Sequence, residues 1–292
     1  ALIGHAMGGW FGLFIGLVSA AGYAYGQLTE AGWSGLGFAF AFSLFGTAFS
    51  WFAGDKVALA TSGAHRIETK EAAPELWNLV ENLSITAGLP MPAVYVIDDA
   101  APNAFATGRD PKHASVAVTT GLLQRLDRTE LEGVLAHELS HVGNYDTRWM
   151  MLVAILVGSL TLLSDLFFRL GGSRRRDDRE GSGNGWLMVV GVILLVLAPI
   201  IGQLIKLAIS RKREYLADAS GALLTRYPEG LASALEKIAA TDLPVQRAPS
   251  ATAHLWISSP LRSGERPGLM ERLFSTHPPL GDRIRALRGM AR

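Results

Sequence analysis

Cysteine is absent from this 292-residue chain, which excludes disulfides and thiolate metal sites and leaves the redox compartment open. Charge is scarce as well: 18% of residues are charged and the mean hydropathy is +0.24. That much polar surface does not cover an ordinary globule of this length, so the composition points to a membrane protein. Nor does one sign dominate. The 27 basic and 26 acidic residues leave a net charge of +1 and are mixed along most of the chain, which excludes the basic field that nucleic acid requires, and no nucleic-acid partner is expected. Internal repeats are lacking, and low complexity is confined to GGSRRRDDREGSGNG, 171–185. With no thiolates, any metal must be held by His, Asp or Glu.

What is present begins with four apolar runs, Ala6–Gly26, Gly32–Gly54, Trp149–Phe168 and Trp186–Ile209, each near the 20 or so residues that a bilayer takes. The first has no basic segment ahead of it and a second follows within a few residues, so a transmembrane hairpin is expected rather than a signal peptide. From Asp55 to Arg148 the signals are mixed. Pro74 followed by Leu76, Leu79, Val80 and Leu83 predicts a helix ending near Gly88. AVYVI (Ala93–Ile97) and SVAVTT (Ser115–Thr120) predict strands, with NAFATG (Asn103–Gly108) a third, edge-like strand between them. Asp127 and Glu130 form a capping-box pattern that opens a helix carrying LEGVLAHELSH. After the fourth run, residues 211–240 are helical in period with a break at Tyr227 and Pro228; a Gly/Ser/Pro/Arg-rich loop and a last amphipathic helix follow. The expected division is 1–54, a transmembrane hairpin; 55–148, a first half of a soluble domain; 149–209, a second hairpin; and 210–292, the second half.

The chemistry sits in HELSH. His137 and His141, four apart on a helix, are rotated by only about 40° and stacked about 6 Å along its axis, so both rings reach one ion. Glu138 points about 100° round from His137, towards a water on that ion rather than the ion itself. Zinc lowers the pKa of such a water to about 7, and a glutamate there takes its proton as the water attacks a carbonyl, then passes it to the leaving amine. Chance placement gives HExxH in roughly one such chain in a hundred, but it does not explain why Val134, Leu135, Leu139 and Val142 surround three ionisable groups that are costly to bury without partners. A catalytic zinc site needs a third protein ligand and an open position; Asp146, Glu214, Asp218, His254 and His277 are the candidates. Glu214 and Asp218 are again four apart on one helix, so one can bind metal while the other holds a liganding histidine.

These residues resemble the HtpX branch of membrane-bound zinc metalloproteases, relatives of the CAAX prenyl endopeptidases. The resemblance runs through PNAFATGRDPKHASVAVTTGLL (Pro102–Leu123), VLAHELSH (Val134–His141), EYLAD (Glu214–Asp218) and STHPPLGDRI (Ser275–Ile284). It implies a mainly α integral membrane protein with four transmembrane helices and a gluzincin-like α+β metalloprotease domain with a small, edge-exposed sheet. It further implies one Zn2+ held by His137, His141 and Glu214, with Glu138 as general base and Asp218 orienting a histidine ligand. Arg283 would brace the acidic groups and His277 would steady the oxyanion or substrate. Asn103, Ala104 and Phe105 would bind an extended substrate, since a free strand edge accepts a peptide by β-augmentation. The implied substrates are misfolded or surplus membrane proteins, cut in a quality-control and stress role.

If Glu214 meets the two histidines, runs three and four form a hairpin that starts and ends on one side of the bilayer. Lys56, Arg66, Arg148, Lys206, Arg211, Lys212 and Arg213 flank that side, which the positive-inside rule makes cytoplasmic, and the resemblance implies a bacterial inner membrane. Arg169, Arg174, Arg175, Arg176 and Arg179 would then lie outside, against the same rule. A transporter whose pathway is marked by Asp165 and Gln203, and a scaffold with a structural metal, are the rival readings; the soluble block counts against the first, and the three-ligand set with a general base against the second.

Overall fold

A computed structural model of the chain describes residues 12, 15, 16, 18, 19, 23, 33–150, 211–241, 243–247, 252, 255–258 and 278–290. Two compact units are formed, one from Ala1–Phe52 with Ile155–Gly202 and one from Ala53–Ala154 with Gln203–Arg292.

In the first unit the longest described stretch is the front of helix α1 (Trp33–Thr61). Its side chains are apolar with little regard to face: Trp33, Phe38, Phe45 and Phe52 are exposed at 71%, 74%, 69% and 64%. Among the described residues no single helix is long and apolar enough to cross a membrane, but the bent pair Leu36–Phe49 and Trp51–Thr61 passes by length and composition. The four expected spans are therefore not seen as four straight helices. The second run is a broken helix, the first is described at only six positions, and the third and fourth, with Asp165, Arg169, Pro199 and Gln203, lie outside the described residues apart from Trp149 and Met150.

The second unit is built on a four-stranded sheet. Strand β1 (Ala64–Arg66) pairs antiparallel with β2 (Ala93–Ile97), β2 pairs parallel with β4 (Ser115–Thr119), and β3 (Ala104–Thr107) closes the order β1-β2-β4-β3 antiparallel to β4. The parallel pair needs a crossover that ends where it began, and β3 supplies part of it, so the NAFATG segment is an edge strand as its sequence suggests. It is not an exposed one: all four of its residues are buried.

Helices cover the sheet. Helix α2 (Pro74–Ala87) starts at a proline whose missing N–H costs nothing there, and ends at Gly88, whose φ of 66° a glycine adopts without strain. Its stripe of Leu76, Leu79, Val80 and Leu83 faces the core. A short helix α3 (Thr120–Arg125) leads to the central helix α4 (Arg128–Gly143), where Asp127 and Glu130 complete a reciprocal capping box. Helices α5 (Arg211–Thr225), α6 (Pro228–Ala239) and α7 (Leu280–Met290) complete the unit. Helix α4 is enclosed by α2, α5, α6 and β3, and eleven of its sixteen residues are buried. Two glycines permit that enclosure. A Cβ on Gly133 would meet the Leu231 backbone nitrogen of α6 at 2.7 Å, and one on Gly221 would meet the His137 nitrogen at 3.0 Å. Glycine thus brings α6 and α5 within backbone contact of α4, and α5 does so at His137.

Candidate metal centre

Helix α4 carries His137, Glu138 and His141 into the core, where they are 1%, 2% and 4% exposed. Across from them α5 presents Glu214 and Asp218, both fully buried. His137 Nε2 and His141 Nε2 stand 3.2 Å apart, and Glu214 places Oε2 3.9 Å from the first and Oε1 3.6 Å from the second. One ligand atom from each of His137, His141 and Glu214 lies within 4.8 Å of the others. Three nitrogen and oxygen donors converging so closely in a dry pocket suit a borderline cation such as zinc.

Each donor is steered from behind. Asp218 Oδ1 lies 2.9 Å from His137 Nδ1, so the other ring nitrogen, Nε2, is turned towards Glu214. Arg283 of α7 holds Asp218 in a fork, with Nε donating to Oδ2 at 2.9 Å and Nη2 to Oδ1 at 2.7 Å, and its Nη1 donates to the Ile257 carbonyl at 3.2 Å. Asp146 Oδ2 lies 3.1 Å from His141 Nδ1. Both histidines therefore point Nε2 at Glu214 because a buried carboxylate holds Nδ1.

The ionisation of the metal-free cluster follows from burial and from these pairs. Burial lowers the His137 pKa, Arg283 lowers it further, and it falls to about 4 despite Asp218, leaving a neutral imidazole. Burial acts the same way on His141, but its hydrogen bond to Asp146 and the Glu214 charge outweigh it and raise the value to about 9. Burial pushes Asp218 up, yet the hydrogen bonds from His137 and Arg283 bring it down to about 2. Burial pushes the Glu138 carboxyl up to about 7, with the nearby Glu214 charge raising it and a hydrogen bond from the Ala106 N–H lowering it. A carboxyl poised near neutrality can both take and give a proton at physiological pH.

The structure thus brings together His137, Glu138, His141, Glu214, Asp218 and Arg283. His254 and His277 lie outside the described residues. Asn103, Ala104 and Phe105 are 2%, 0% and 1% exposed, and the open edge expected of them is taken by the chain itself. Trp256 bridges Phe105 antiparallel, the Ile257 N–H donates to the Ala104 carbonyl at 2.9 Å, and Asn103 donates from Nδ2 to the Ser258 carbonyl at 3.1 Å. Trp256 and Ile257 are themselves buried, the Trp256 ring 4.8 Å from that of Phe105. The physical reason is local: an edge strand of buried residues is stabilised by any apolar segment that can pair with it, and residues 256–258 can. Ala106, two residues on, turns its N–H to Glu138 instead.

Sequence reasoning treated Asp146 only as a possible ligand and missed Arg213, which is paired with it. Spacing gave no help, because a left-handed residue at Tyr145, φ 61°, separates Asp146 from the helix that carries His141.

Comparison with known proteins agrees with this geometry. The model of Peptidase family M48 matches residues 70–291, which include all the residues of the cluster. The chain is 49% identical over 291 residues to a Protease HtpX homolog of Tropheryma whipplei (strain Twist), covering 99% of this chain and 89% of that protein. It is 50% identical over 269 residues to a Protease HtpX homolog of Dictyoglomus thermophilum, covering 92% and 86%. Among solved structures it is similar in fold to Ste24p of S. mikatae, with a TM-score of 0.50 and 19% identity over 98% of this chain and 63% of that one.

Proposed function

We propose that this chain, which belongs to Peptidase family M48 and is a metallopeptidase, is a zinc endopeptidase of the membrane that cuts misfolded or surplus membrane proteins at the cytoplasmic face. The observation that carries the reading is the buried triangle of His137, His141 and Glu214 with Glu138 beside it. A zinc ion held by those three residues would polarise a peptide carbonyl and acidify a water. Everything else is supplied by the chain. Glu138, buried beside the triangle, takes a proton from the attacking water at one carboxylate oxygen and returns it to the leaving amine nitrogen. Asp218 and Asp146 hold the two imidazoles by Nδ1, so that neither ring turns as charge develops. Arg283 keeps Asp218 ionised and is the buried counter-charge to both Asp218 and Glu214. His277 is proposed to face the substrate oxyanion.

A substrate held as a strand along β3 is supported by the edge position of that strand and by the Ala106 N–H, which faces Glu138. Pairing at Asn103, Ala104 and Phe105 themselves requires residues 256–258 to lift away. Membrane residence is supported by the exposed aromatic side chains of α1, since a helix that is apolar all round needs an apolar surrounding.

The test is zinc content together with cleavage of a denatured membrane protein, in detergent and in lipid vesicles. One zinc per chain, cleavage abolished by a chelator and restored by zinc, supports the proposal. A chain that cleaves at full rate after metal removal contradicts it.

A further inference from the structure

We infer that Asp146 is a positioning residue for His141, and that its pairing with Arg213 makes it the clasp that ties both ligand-bearing helices of the metal centre to one point. The inference rests on the reading of His137, His141 and Glu214 as metal ligands. Asp146 is 1% exposed, although an unpaired carboxylate is costly to bury. Each of its oxygens has a different partner. Oδ2 is 3.1 Å from His141 Nδ1, and Oδ1 accepts from Arg213 Nη1. Arg213 is the residue immediately before Glu214 on α5. One carboxylate therefore touches the second histidine directly and the glutamate through its chain neighbour, across a gap of 67 residues.

The backbone bends to achieve this. Helix α4 ends at Gly143 with Asn144 as its cap, and Tyr145 adopts φ 61°, a left-handed conformation that a residue with a bulky side chain rarely takes. Had the helix run on unbroken, residue 146 would have pointed about 140° away from His141, five positions back. The left-handed residue turns Asp146 round to face the ring. Three contacts then fix the turn: Thr147 Oγ1 donates to the Gly108 carbonyl at 2.9 Å, Arg148 Nε donates to the Arg109 carbonyl, and the Arg148 guanidinium lies 4.9 Å over the Tyr145 ring. A strained residue so firmly held is the form in which functional strain is usually stored. Asp146 therefore does for His141 what Asp218 does for His137, from the opposite end of the cluster.

The experiment uses the full chain in detergent and measures zinc affinity by competition with a chromogenic chelator, alongside the unfolding temperature of the metal-free protein. Asp146→Ala is expected to weaken zinc binding about 10- to 100-fold. Asp146→Asn keeps an oxygen that accepts from Nδ1–H and is expected to recover most of that loss. With cobalt in place of zinc, the ligand-field absorption of Asp146→Ala should shift, since one imidazole is no longer held. Wild-type affinity and an unshifted cobalt spectrum in Asp146→Ala would overturn the inference while leaving the metal reading intact. A lowered metal-free unfolding temperature with unchanged affinity of the folded protein would overturn it too, as that is a purely structural role. A wild-type chain that binds no zinc would overturn the metal reading itself.

Discussion

His137 Nδ1 lies 2.9 Å from Asp218 Oδ1, and the same carboxylate is gripped on both oxygens by the fully buried Arg283. That relay joins a helix bearing two donors to the last helix of the chain. It makes Asp218 and Arg283 a unit in which neither charge is tolerable without the other. Removing Asp218 as Asp218→Ala leaves a buried guanidinium with its main partner gone, for which about 3–5 kcal/mol of destabilisation is expected. Zinc affinity should fall as well, by about 10- to 100-fold, because His137 loses its orienting acceptor. Chemical denaturation and chelator competition measure the two effects separately.

The same pair sets a pH dependence. Asp218 titrates at about 2 in the folded protein and near 3.9 when unfolded. A carboxyl whose pKa is lowered by folding contributes stability that is fully present above its unfolded value and lost as pH falls through its folded value. The metal-free protein should therefore lose on the order of 2 kcal/mol from this group between about pH 4 and pH 2. His141 is already protonated in both states there, but His137, held at about 4 in the folded protein, and Glu138, which finishes titrating near pH 4 in the unfolded chain, both take up protons at the top of the window, so the effect of Asp218 is read below about pH 3. Asp127 and Asp110 are also lowered by folding and contribute a background. The quantity to compare is the slope of unfolding free energy against pH in wild type and Asp218→Asn, and the variant should be the flatter of the two.

Gly133 lies where α4 and α6 meet backbone to backbone, with a Cβ there falling 2.7 Å from the Leu231 nitrogen. Main chain yields less than a flexible side chain does. Although alanine favours a helix over glycine by about 1 kcal/mol, Gly133→Ala should be destabilising by about 1–3 kcal/mol through overpacking. The denaturation midpoint should fall with the slope unchanged.

The capping box offers a milder test. Asp127 accepts from the N–H groups of Thr129 and Glu130, while Glu130 accepts from the Asp127 N–H and also pairs with Lys237 of α6. Asp127→Ala should cost about 1 kcal/mol, and Glu130→Ala more, because the same carboxylate also receives Ser233 and Lys237. Zinc affinity should be unaffected by Asp127→Ala, since the cap is ten residues from His137.

Much of this was legible in the sequence because the signals are local. Pro74 and Gly88 bound α2, Asp127 and Glu130 open α4, and Tyr227 with Pro228 divides α5 from α6, each by the chemistry of one or two residues. The pairing of His137 and His141 on one ion was legible through helical spacing, whereas Glu214 was one of five candidate third ligands until the family resemblance singled it out. What escaped was set by distant or backbone events. The pairing of residues 256–258 with β3 joins segments about 150 residues apart and leaves no periodic trace. The turn at Tyr145 is a backbone conformation that tyrosine does not advertise, so Asp146 read as a possible ligand rather than as the partner of His141. The apolar runs signalled membrane by composition alone, but composition carries no information about a bend, and the second run is bent.

The central claim is that Glu138 moves the proton in a hydrolysis that the buried triangle supports. The most direct measurement is the cleavage rate of Glu138→Gln, prepared in detergent and shown by metal analysis to hold one zinc per chain. The amide keeps the size of the side chain and loses its ability to take a proton, so cleavage should fall by about 100- to 10,000-fold with the metal still in place. A Glu138→Gln protein that retains its zinc and cleaves at the wild-type rate would contradict the account.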